Sequence, residues 1–169
     1  QDDEEQLENK KIGVILGKAE TEESVDRIAG LKDGLEGSGC EILWEYNYAR
    51  GNQNTSEIIA SKKQVDYLVI LDNWALEEVG EAAEENKYHG AKIYGVGSSE
   101  KAIVLLDNQN IECLVVPDDY ETGYMSMNEI AKKLRHSFYK MNSCETEVRI
   151  INKEDLYSKD LERFLYSYE

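Results

Sequence analysis

The sequence predicts an α/β fold class: a doubly wound three-layer α-β-α sandwich around a parallel sheet of order 2-1-3-4-5. Three observations predict it. Five short apolar runs alternate with five segments of helical period along the chain. The runs are rich in Val, Ile and Leu and lack polar alternation, as in strands buried on both faces. At 169 residues the chain suffices for one full core and falls short of two sizeable domains.

The elements follow in order. "QDDEEQLENK" (1–10) is charged and aperiodic, and reads as an acidic linker or tail. "KIGVIL" (11–16) is a short β-branched-rich strand. "TEESVDRIAGLKDGLEG" puts Val25, Ile28, Leu31 and Leu35 on one helical face, with acids in the first turn and glycines at the end. "CEILWEYNY" is the second strand, with Trp44 in the core. "TSEIIASKK" is a short helix capped by Thr55 or Ser56. "VDYLVIL" is the third strand, and "NWALEEVGEAAEENK" gives Leu76, Val79 and Ala83 a helical stripe. "AKIYGVG" is the fourth strand, followed by "SSEKAIVLLDNQ", a helix with serine caps and Glu100 in its first turn. "IECLVV" is the fifth.

Pro117 is the only proline, and it ends that fifth strand because it has no N–H for the ladder. Asp118 or Asp119 then caps a long helix. Tyr120, Tyr124, Met127, Ile130, Leu134, Phe138 and Met141 recur every three or four residues, which predicts about six turns with these residues on the inner face. Residues 143–169 add a return strand and a terminal helix outside the five-fold repeat; residues 11–142 form the ligand-binding unit.

The net charge of −16 disfavours direct binding to nucleic acid or to anionic membranes. No apolar run reaches the ~20 residues that span a bilayer. No signal peptide is visible, so an export signal is expected outside this sequence. Cys40, Cys113 and Cys144 are widely spaced and predict plain thiols, with pairing of two of them the alternative in an exported protein, and not a zinc or CxxC redox site.

In a doubly wound sheet, ligands sit beyond the carboxyl ends of the strands. Those ends carry Gly17–Lys18, Leu71 to Trp74, Gly97 to Ser99 and Pro117 to Asp119. The candidate ligand residues are Asp72, Asn73, Trp74, Gly97, Ser98, Pro117 and Asp118, with Trp74 as a stacking surface. No catalytic residue, metal ligand or cofactor is expected. Asp72 stands where a phosphoryl-accepting aspartate would, but "GKAET" and "PDD" supply neither the clustered acids nor the lysine that such chemistry needs. "GVGSSE" lacks the third glycine of a dinucleotide fingerprint and follows the fourth strand. His89 and His136 neighbour no nucleophile or metal spacing.

Five stretches in this order resemble the type I periplasmic binding proteins, most closely the C-terminal lobe of their ribose-binding-like, sugar-binding branch. They are "ESVDRIAGLKDGL", "DYLVILDNWALEEVGEAA", "KIYGVGSSEKAIVLL", "VVPDDYETGYMSMNEIAKKL" and "VRIINKEDLYSKDLERFL". The resemblance implies a non-catalytic, extracytoplasmic solute-binding lobe, as in a lipoprotein. It would close with an N-terminal lobe on a small molecule and serve a membrane permease of the ABC transporter class, or a sensor. The family's polar ligand contacts fall on Leu71, Gly97, Pro117 and near Val25; only Asp72 keeps its type, in a position that is largely structural in the family. This implies a ligand that is sugar-like or less polar. The alternatives are the effector lobe of a lactose-repressor-like regulator and a flavodoxin-like nucleotide binder.

Overall fold

The computed structural model describes residues 8–18, 21–51, 54–83, 86–136, 138–142, 145–158 and 161. The expected 1–7 part of the tail, the terminal helix and Cys144 lie outside them. The elements are β1 (Lys11–Leu16), α1 (Glu22–Leu35), β2 (Glu41–Asn47), α2 (Thr55–Ala60), β3 (Tyr67–Ile70), α3 (Asn73–Ala82), β4 (Lys92–Val96), α4 (Glu100–Asp107), β5 (Cys113–Pro117), α5 (Asp119–Arg135) and β6 (Val148–Ile151). The sheet order is β2-β1-β3-β4-β5-β6. The first five strands pair in parallel, as the sequence predicts, and β6 adds an antiparallel edge against β5.

The two faces of the sheet separate by the period-two alternation of strand side chains. Ile15, Leu68, Ile70, Ile93, Leu114 and Val116 face α2, α3 and α4, with Ile59, Leu76, Val79, Leu105 and Leu106 packed on them. Ile12, Val14, Leu16, Tyr67 and Leu71 face the other way, onto Ile28, Leu31 and Leu35 of α1. Val25, placed by periodicity on the α1 inner face, is 54% exposed; Ser24 is the buried residue of that turn. Trp44 lies flat over Gly13, where a Cβ would overlap its ring, and its indole N–H donates to Lys63 O at 2.9 Å.

Caps set the helix starts. Thr21, Asp72, Ser99 and Asp118 each accept a backbone N–H three residues on, closing α1, α3, α4 and α5. For α2 the cap position is Asn54, without a side-chain bond; Thr55 is instead fully buried.

The long helix differs most from expectation. It is 17 residues long and stops at Arg135, so Phe138 and Met141 lie beyond it. Its apolar stripe is bare: Tyr124 and Met127 are each 63% exposed and Leu134 82%. The described residues that periodicity placed on an inner face are exposed, because α5 leaves the sheet at Pro117 and makes no extended contact with it, unlike α3 and α4.

One carboxylate ties the chain beyond α5 back onto the helix. Glu129, though on a surface element, is largely buried; it accepts from the Tyr139 hydroxyl at 3.0 Å, Asn142 N at 2.9 Å and Lys132 Nζ at 2.7 Å. These bonds, led by the Asn142 N–H, pull its carboxyl down to about 2. A depressed carboxylate stabilises above its unfolded value of about 4.5, and the effect is lost as pH falls toward 2. Glu129→Gln is therefore expected to lower the thermal midpoint at neutral pH and to match the wild type at about pH 2. Parallel melts across that range check this; a gap that persists unchanged at the acid end contradicts it.

Candidate ligand-binding edge

Parallel pairing brings the carboxyl ends of β1, β3, β4 and β5 to one edge, and the sequence-derived residues meet there. Each has a local task. Asp72 Oδ1 accepts from Ala75 N at 2.9 Å, while its other oxygen presses on Gly17, whose missing Cβ leaves the room. Asn73 staples two strand ends: its Oδ1 accepts from Ser98 N at 3.2 Å and Ser99 N at 3.5 Å, and its Nδ2 donates to Glu77 at 2.9 Å. Gly97 is glycine because a Cβ would overlap that Oδ1. Pro117 closes β5 opposite Val148, and Asp118 Oδ1 accepts from Glu121 N at 2.7 Å. Ser98 sits in the β4–α4 turn above Asn73.

Trp74 is different. It is 48% exposed, and the Arg50 guanidinium carbon lies 3.7 Å from its ring centroid. Arg50 is missing from the sequence-derived set. The signal for it was its position, three residues past the end of β2 and so at the same edge as Trp74. A second arginine, Arg27 of α1, donates to Leu71 O at 2.7 Å and pairs with Glu23, fixing α1 to the end of β3. Beneath Arg50, Tyr48 is buried, and burial with the nearby Glu78 carboxylate pushes its hydroxyl up to about 12. Tyr48 is thus a neutral hydrogen-bond donor at any physiological pH.

Among the described residues no group of three or more His, Cys, Asp or Glu could hold a metal, and no helix is long and apolar enough to cross a membrane. Cys40 and Cys113 are thiols. Burial raises the Cys113 thiol above its ordinary range.

A family model for the periplasmic binding protein domain matches residues 3–137. The chain belongs to the periplasmic binding protein family. Solved structures of solute-binding proteins share its fold. A carbohydrate transporter solute-binding protein from Agrobacterium radiobacter, in complex with D-arabinose, superposes with a TM-score of 0.78 at 19% identity, over 93% of this chain and 55% of that one. A glucose-galactose binding protein from Geobacillus stearothermophilus gives 0.76 at 19% identity, over 89% and 55%. A periplasmic ribose ABC transporter protein from Conexibacter woesei gives 0.72 at 15% identity, over 93% and 56%. No curated protein matches. This periplasmic binding protein chain spans about half the length of the solved structures it matches, and its fold is that of one lobe of the type I class.

Proposed function

We propose that this chain is the C-terminal lobe of an extracytoplasmic solute-binding protein. It grips a small, sugar-like molecule at its strand-end edge, without altering it, for an ABC-type permease or a sensor. The observation that carries this is the pairing of two unfinished surfaces on one structure: the strand-end edge, with Trp74 half-exposed under Arg50, and the bare apolar stripe of α5. Both fit a chain whose other lobe supplies the second jaw and covers α5. The solved neighbours contain such additional chain, since they are matched over 54–56% of their length. A single open edge contacts a ligand on one side only, so tight binding needs the opposing lobe.

Asp72, Asn73, Gly97, Ser98, Pro117 and Asp118 act in this reading mainly by shaping the edge, and Trp74 by touching the ligand. Calorimetry on the full-length protein with D-arabinose, D-glucose, D-galactose and nucleosides tests it. Heat from at least one is expected; silence across the panel overturns the reading.

The α5 stripe supplies a separate check. Met127→Glu with Leu134→Glu is expected to shift the stability of this chain by no more than about 0.5 kcal/mol per site, as for exposed positions. In the full-length protein the same pair is expected to cost several-fold more, because two charges would be buried at an apolar contact. Urea unfolding of both proteins measures this, and equal losses would show that nothing covers the stripe.

A further inference from the structure

The geometry points to a ligand that carries a carboxylate on a sugar-sized ring, anchored by Arg50 at the Trp74 corner. This rests on the solute-binding reading and deepens it to a substrate class.

Three observations combine. First, the polar side chains that a neutral sugar would need at this edge are partly committed: Asp72 and Asp118 each cap a helix with one oxygen, and both ends of the Asn73 amide are bonded within the protein. Second, Arg50 carries a charge that no carboxylate among the described residues neutralises by an ion pair. Glu78, one turn past Trp74 on α3, lies beside Tyr48. Third, the Arg50 guanidinium carbon lies 3.7 Å from the Trp74 ring centroid, a cation–π contact that favours this placement of the fork. A planar fork matches a carboxylate with two parallel hydrogen bonds.

The test is a titration of the 15N-labelled chain, which reports weak binding by one lobe. The reporter is the indole N–H signal of Trp74, told apart from that of Trp44 by Trp74→Phe. The probes are D-galacturonate, D-galactose and acetate: acid with ring, ring alone, acid alone. Galacturonate is expected to move the Trp74 signal at a concentration at least tenfold below galactose and below acetate. Arg50→Gln is expected to abolish that advantage, and Arg50→Lys to keep part of it. Galactose binding as well as galacturonate overturns the inference and leaves the solute-binding reading standing. So does Arg50→Gln strengthening galactose, which would make Arg50 a cover on the ring. Acetate matching galacturonate overturns it too, as simple ion pairing. No movement with any probe overturns the inference, while the reading is still decided by calorimetry on the full-length protein.

Discussion

Leu76→Ala is expected to destabilise the domain by about 3 kcal/mol, within the span seen when a buried leucine is cut back to alanine. Leu76 has no exposed surface and joins α3 to the sheet. Its methyl groups fill the space over β4 that two glycines leave open: a Cβ on Gly95 would overlap Cδ1, and one on Gly97 would stand 3.2 Å from Cδ2. The cavity left by alanine cannot be closed by moving α3 inward, because Asn73, at the start of the same helix, is tied to Ser98 and Ser99. Urea unfolding should show a lower midpoint at unchanged slope. A loss under about 1 kcal/mol would mean that α3 settles freely onto the sheet.

Gly95→Ala should cost about 2 kcal/mol for the opposite reason, overpacking. The new methyl would stand 2.8 Å from Leu76 Cδ2 and 3.0 Å from its Cγ, as well as overlapping Cδ1. Leu76 is enclosed, so the strain passes to α3 or to the β4 backbone. The two substitutions share one space and should not add. In the double variant the Gly95→Ala methyl occupies room vacated by Leu76→Ala, so the combined loss should fall short of the sum by about 1 kcal/mol or more. Additive losses would show that the two residues do not touch.

The sheet was legible because its strands are continuous apolar runs with unambiguous breaks. "VDYLVIL" and "IECLVV" admit few other assignments once helices of correct period flank them. The caps Ser99 and Asp118 were legible because capping is local chemistry over three residues. The α2 start was not, since Thr55 is drawn into the core by packing that a four-residue window does not contain. The apolar side of α5 was legible as a pattern, but its exposure was not: periodicity names an apolar side and is silent on what lies against it. The Arg50–Trp74 stack was hidden for a related reason. It joins the β2–α2 loop to the start of α3, and only the crossing order of the strands brings them together.

The antiparallel β5–β6 pair has one more consequence. The chain departs at Pro117 and comes home at Val148, its direct partner in the ladder, and Asp118 N bonds Glu147 O at 3.1 Å just outside. The exit and the return of the chain are thus pinned side by side, so drawing either one along the sheet would break both strand ends together.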